Sequence, residues 1–165
     1  MKLYLLRHAE AADAHPDSSR PLTAKGRADA QALGTYLNTQ LQLQVDAIWH
    51  SPYLRAKETV DSLCQGYGHA FAPFEEVPCI TPEDDPRQLD APLQELEGPV
   101  LIVSHNPYLS YFASWLLTDS FDRLGVRFKK AGLLCIEYFP RRGRSVGGAA
   151  LLRWMVTPAQ YRPAQ

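Results

Sequence analysis

The run Pro99-Val100-Leu101-Ile102-Val103-Ser104 constrains the fold more than any other stretch of the chain. It is apolar at four consecutive positions and closed by His105-Asn106-Pro107, so it reads as a buried strand. Met1 to Leu6 reads as a second short buried strand that stops at Arg7-His8, and Val45 to Trp49 as a third that ends at His50-Ser51-Pro52. Helical patterns fall between these strands. Thr23 caps a helix over 24–38, where Ala30, Leu33, Leu37 and Leu41 recur at helical spacing. Ser51 caps and Pro52 opens a helix over 53–65 with the stripe Ala56, Val60 and Leu63, ended by Gly66 and Gly68. Asn106 caps a third helix, with Pro107 as its first residue, running through Leu117.

The remaining stretches are less regular. Residues 9–20 are small and polar and form a loop; residues 69–98 are rich in Pro and acid, with one strand near 74–77 and a short helix near 87–96. Two strand-like runs, 132–139 and 149–156, are joined by the basic, Gly-rich turn 141–148 and read as a hairpin. Strands alternating with helices predict a single three-layer α/β/α domain over 1–165, with a largely parallel sheet and a C-terminal β-hairpin. In such folds ligands bind beyond the carboxyl ends of the strands. Arg7-His8, Ser51-Pro52 leading to Arg55, and His105-Asn106 all lie at or just after a strand end.

Composition narrows the chemistry. With 17 basic and 18 acidic residues, the formal net charge of -1 provides no global field toward nucleic acid or an anionic membrane. Phosphate recognition must therefore come from a local cluster of Arg and His. The apolar run after Lys2 is too short for a signal-peptide core, and no stretch approaches a membrane span. Cys64, Cys79 and Cys135 show no CxxC spacing, which argues against a disulfide framework or a zinc site and for a reducing cytoplasm.

A phosphoryl group in transfer carries negative charge on its equatorial oxygens, which bidentate guanidinium groups match. A neutral imidazole nitrogen can attack phosphorus and form a covalent intermediate, and a second His can stabilise the same oxygens. Arg7, Arg55 and His105 around a nucleophilic His8 would make such a site, and the helix after Asn106 could add backbone donors.

Leu6-Arg7-His8, Arg20-Pro21-Leu22-Thr23 with Gly26, Ser51-Pro52-Tyr53-Leu54-Arg55-Ala56 with Thr59, and Val103-Ser104-His105-Asn106-Pro107 together resemble the histidine phosphatase superfamily. Within it the chain is most similar to SixA-type phosphohistidine phosphatases. The resemblance covers nearly the whole chain in order. It implies His8 as nucleophile, Arg7, Arg55 and His105 completing the phosphate pocket, and Arg20 and Asn106 as further substrate contacts. The chain is further expected to be a metal-independent, monomeric hydrolase with no cofactor. Its partner would be a phosphohistidine-bearing protein or a small phosphorylated substrate.

Two departures bear on the substrate. Ala9 stands where many relatives have Gly, and Asn106 follows His105 where ester-cleaving branches carry an acid there or mid-chain. Glu83, Asp84 and Asp85 offer carboxylates, but in no matching motif. An imidazole leaving group needs less protonation than an alkoxide, which favours phosphohistidine. Other readings remain open: an ester phosphatase or mutase of the same superfamily, a non-catalytic binder of phosphorylated partners, or a cysteine phosphatase. The last rests on the spacing Cys135-x5-Arg141, whose intervening residues are bulky and lack the glycines of a phosphate-cradling loop.

Overall fold

The apolar runs become the middle of a mixed sheet in a computed structural model, described over residues 1–139 and 146–162. The strands are β1 (Lys2–Arg7), β2 (Ala47–His50), β3 (Phe74–Glu76), β4 (Val100–Ser104), β5 (Leu133–Tyr138) and β6 (Ala150–Val156). Among the described residues they stand in the order β3-β2-β4-β1-β5-β6. The first four in that order run parallel, while β5 is antiparallel to both β1 and β6. The β5–β6 pair is the expected hairpin; most of its connecting turn lies outside the described residues.

The helices are α1 (Ala24–Thr39), α2 (Leu54–Tyr67), α3 (Asp90–Gln94), α4 (Tyr108–Thr118) and α5 (Pro158–Tyr161). Alternate residues of each central strand face opposite layers, as strand geometry requires. Leu3, Leu5, Val100 and Ile102 pack with Tyr108 and Phe112 of α4. Tyr4, Leu6, Leu101 and Val103 pack with Leu33 of α1 and Val60 of α2. This is the three-layer arrangement. Helices α1 and α2 approach closely: a Cβ at Gly34 would collide with the Leu63 carbonyl, and one at Gly66 with that of Gln31.

Several boundaries differ from the sequence reading. Leu41 lies beyond the end of α1 and is exposed, because the chain has already turned toward Leu43, whose N–H donates to the Leu37 carbonyl. The strand expected from Val45, β2, begins at Ala47. Gly66 lies inside α2, where it allows contact with α1; Gly68, at φ 99°, ends the helix in the left-handed region that favours glycine. Ser51 and Pro52 precede α2, which starts at Leu54 with Tyr53 as its N-cap. Asn106 makes no cap bond either: Pro107 is the N-cap residue of α4, and the Leu109 N–H finds the His105 carbonyl instead.

The sheet order creates a switch point. From β1 the chain passes through α1 to β2 on one side; from β4 it passes through α4, in the other layer, to β5 on the opposite side. The carboxyl ends of β1 and β4 therefore open into a crevice between diverging connections.

Candidate active site

Parallel pairing brings three sequence-distant segments to that crevice. Arg7 is in register with Ser104, and the ladder continues past the strand ends through His8 N–H to the Ser104 carbonyl, 2.9 Å. On the other side of β4, Ser51 N–H donates to the Val103 carbonyl at 3.0 Å. His8, Ser51 and His105 thus follow three neighbouring strand ends. The His8 and His105 rings lie 5.0 Å apart between centroids.

The local bonds define which edge of His8 carries the lone pair. Its Nδ1 lies 2.7 Å from the Ala9 carbonyl, which can only accept, so Nδ1 carries the proton. Nε2 then presents a lone pair, and Arg55 Nε donates to it at 3.3 Å. Burial, reinforced by the positive charges of Arg55 and Arg7, pushes the His8 pKa down to about 3 against the opposing Ala9 bond. His105, 1% exposed, is pushed down to about 2 by burial and then by His8 and Arg55. Both imidazoles are neutral near pH 7, as a nitrogen nucleophile requires.

Arg55 is nearly buried at the start of α2, stacked 4.8 Å over the Tyr53 ring. It donates twice more, Nη1 to the Asp17 main-chain oxygen at 2.7 Å and Nη2 to Asp17 Oδ2 at 2.9 Å. Arg7 donates Nη1 to the Phe128 carbonyl at 2.9 Å. Arg7 Nε, His105 Nδ1 and Asn106 Oδ1 are buried without a hydrogen-bond partner among the described residues. Buried polar groups are normally paired, so unsatisfied atoms at the end of one crevice mark a place for a polar ligand.

Arg20 sits differently. Its guanidinium is used within its own loop, on the Ala12 carbonyl, Asp13 and Asp17, and it meets Arg55 through their shared partner Asp17. The mid-chain carboxylates also have local tasks. Asp84 accepts from Thr81 N–H, Asp85 caps the 3₁₀ turn Pro86–Leu89 and pairs with Arg87, and Glu83 is exposed. Cys135 is wholly buried in β5, and burial pushes its thiol up to about 11. That removes the thiolate a cysteine phosphatase needs; Arg141 lies outside the described residues.

Three contributors escaped the sequence reading of roles. Asp17 stands in a 3₁₀ turn of the loop read as unstructured. Burial opposes its ionisation, but the hydrogen bonds from Arg55 and Arg20 outweigh that and hold its carboxyl below the usual range. Thr59, one turn after Arg55, accepts from Ala9 N–H at 3.1 Å and donates to the Arg55 carbonyl at 2.6 Å. Ser51, read as a cap, puts Oγ 2.7 Å from His105 Nε2. Only the i,i+4 spacing of Arg55 and Thr59 was a visible signal; the other two contacts depend on how the sheet folds.

Support for the site also comes from its far side. Ala131 N–H lies 3.1 Å from the Arg7 carbonyl and 3.2 Å from that of His8, and the Ala131 carbonyl accepts from Tyr161 Oη at 2.7 Å, in α5. Beside Asn106 opens a groove of about 510 Å³ lined by Tyr111, Phe121, Leu124, Val126 and Arg127.

Comparison with known proteins agrees with the fold. The sequence profile of the histidine phosphatase superfamily (branch 1) matches residues 3–79. Phosphohistidine phosphatase SixA of Escherichia coli (strain K12) is 33% identical over 123 residues, covering 70% of this chain and 74% of that protein. A structure of the protein histidine phosphatase SixA complexed with tungstate superposes with a TM-score of 0.82 at 26% identity, covering 97% of this chain and 99% of that one. The alpha-ribazole phosphatase of Shigella flexneri shares the fold, with a TM-score of 0.65 at 19% identity over 96% of this chain and 97% of its own.

Proposed function

The chain belongs to the histidine phosphatase superfamily and is a phosphatase, and from that premise we propose that it removes phosphate from phosphohistidine on a protein partner through a phosphorylated His8. The observation that carries the reading is the His8 imidazole. Its Nδ1 is tied to the Ala9 carbonyl, and its Nε2 lone pair faces Arg55 Nε.

His8 Nε2 attacks phosphorus as the bond to the leaving imidazole nitrogen breaks, leaving phospho-His8. Arg7, Arg55 and His105 stabilise the charge on the transferring oxygens, and Asn106 adds a contact. Arg20 acts at the rim through Asp17. Water then attacks the phospho-His8 phosphorus, releasing inorganic phosphate and restoring the imidazole. The bound tungstate of the SixA structure, an oxyanion, fits a pocket of this kind.

Two observations favour a nitrogen–phosphorus bond on a macromolecule. Among the described residues no acid is poised for an alkoxide: Asp84 and Asp85 are engaged locally, and Asp17 is held ionised by Arg55 and Arg20. The apolar groove that begins at Asn106 extends the site well beyond a phosphate group. The fold shared with an alpha-ribazole phosphatase keeps a small-ester substrate as the second reading.

The test compares hydrolysis of a phosphohistidine protein, an aryl phosphate and a phosphosugar by wild type and His8→Ala, with acid-stable and acid-labile phosphoenzyme measured after rapid quench. Preference for the phosphoprotein, with acid-labile label absent from His8→Ala, is expected. Preference for the phosphosugar would overturn the substrate, and turnover by His8→Ala would overturn the nucleophile. Release of no phosphate from any substrate would leave a binding module.

A further inference from the structure

We infer that Ser51 is a positioning residue that fixes the tautomer of His105, keeping its proton on Nδ1 for the transferring phosphoryl group. The inference rests on the reading above, in which His105 donates to a phosphate oxygen.

The argument is one of hydrogen-bond completeness. Ser51 is fully buried, with Oγ 2.7 Å from His105 Nε2 and 3.4 Å from Tyr53 N–H. The backbone N–H can only donate, so it uses Oγ as an acceptor and leaves the hydroxyl proton to be placed. A neutral imidazole carries one N–H. If that proton sat on Nε2, both Nε2–H and Tyr53 N–H would point at Ser51 Oγ. The serine O–H would then have no acceptor, since Oγ has no other partner among the described residues. A buried hydroxyl proton without an acceptor is unfavourable. With the proton on Nδ1 instead, Tyr53 N–H donates to Oγ, Ser51 O–H donates to Nε2, and one donor stays free.

That free donor is His105 Nδ1, buried and without a partner among the described residues. The ring is also held laterally, with Tyr53 edge-on at 5.0 Å and His8 at 5.0 Å. An Nδ1–H aimed at a phosphoryl oxygen is attractive, whereas an Nδ1 lone pair in the same place would repel it. One hydroxyl thus decides whether His105 helps or hinders transfer, although no proton leaves Ser51 during the reaction. The same choice keeps the two neutral histidines in matched states: His8 with its proton on Nδ1 and its lone pair on Nε2, where Arg55 Nε now donates, His105 with its proton on Nδ1 and Nε2 satisfied by Ser51.

Long-range ¹H–¹⁵N correlation of the imidazoles tests this directly, with His105 assigned by its loss in His105→Asn. The wild-type ring is expected as the Nδ1–H tautomer, and Ser51→Ala is expected to shift it toward Nε2–H. The alanine variant should lose about tenfold in kcat with KM changed less than about threefold, and Ser51→Thr, which restores the hydroxyl, should recover the wild-type tautomer. A wild-type Nε2–H tautomer would overturn the inference without any variant needing to fold. So would an Ser51→Ala protein whose tautomer and kcat are both unchanged. Activity surviving in His8→Ala would instead overturn the phosphohistidine mechanism while leaving the tautomer result standing.

Discussion

Asp17 and Arg55 are joined twice, Nη2 to Oδ2 at 2.9 Å and Nη1 to the main-chain oxygen at 2.7 Å, while Arg55 Nε points at His8. The guanidinium proposed to bind phosphate therefore already holds an anion. An incoming phosphate must share or displace that carboxylate, and with Asp17 half exposed the ion pair is weak enough to exchange. Replacing Asp17 by Asn keeps the shape and removes the charge. Inhibition by vanadate should tighten by about threefold, equivalent to under ~1 kcal/mol. Weaker inhibition, measured as a higher inhibition constant, would show that Asp17 assists anion binding.

The two buried histidines make stability depend on pH. Unfolded, each has a pKa near ~6.5; folded, burial first of all lowers His8 to about 3 and His105 to about 2. Below the unfolded value, the unfolded chain takes up protons that the folded protein refuses. The stabilisation is thus fully present above about pH 6.5 and is lost as pH falls toward the folded values. His105→Asn removes one such group. Denaturant unfolding at pH 7 and pH 5 should show wild type losing up to about 2 kcal/mol more than this variant. Equal losses would mean that His105 titrates normally.

Thr59 bridges the loop after His8 to α2, taking Ala9 N–H and giving its own proton to the Arg55 carbonyl. Thr59→Val keeps the volume and strands the Ala9 N–H in a buried place. We expect a loss of about 1–3 kcal/mol in urea unfolding, with a fall in kcat as the backbone beside His8 loosens. A variant as stable and active as wild type would show that water satisfies the freed amide.

The strands that carry these groups were legible because Leu3–Leu6 and Val100–Val103 are apolar at every position, which only a sheet covered on both faces accommodates. Arg7, His8, Arg55 and His105 were legible because they sit at or near the ends of such runs. Asn106 misled because Asn before Pro is a good cap pattern, yet the His105 carbonyl meets the Leu109 amide without it. Asp17 was invisible for another reason. Its meaning comes from Arg55, distant in sequence, and no local pattern encodes a contact of that range. Gly66 was misread as a stop because glycine also serves close helix packing, and α1 is the neighbour that requires it.

That packing gives a further test. A methyl at Gly34 would strike the Leu63 carbonyl, which is backbone and cannot rotate away. Gly34→Ala should force α1 and α2 apart and cost about 1–3 kcal/mol, measured by thermal or urea unfolding. Because Arg55 rides on α2, activity should fall as well. A neutral substitution would mean that the helices slide without cost.

The Tyr161–Ala131 bond has a practical consequence. Tyr161 Oη holds the Ala131 carbonyl, and Ala131 N–H reaches the carbonyls of Arg7 and His8. The His8 backbone thus hangs from a strut anchored more than a hundred residues later in the chain. Fusions or trimming that disturb residue 161 should therefore reach the backbone of His8, and activity measured on such variants would report the strut as much as the histidine.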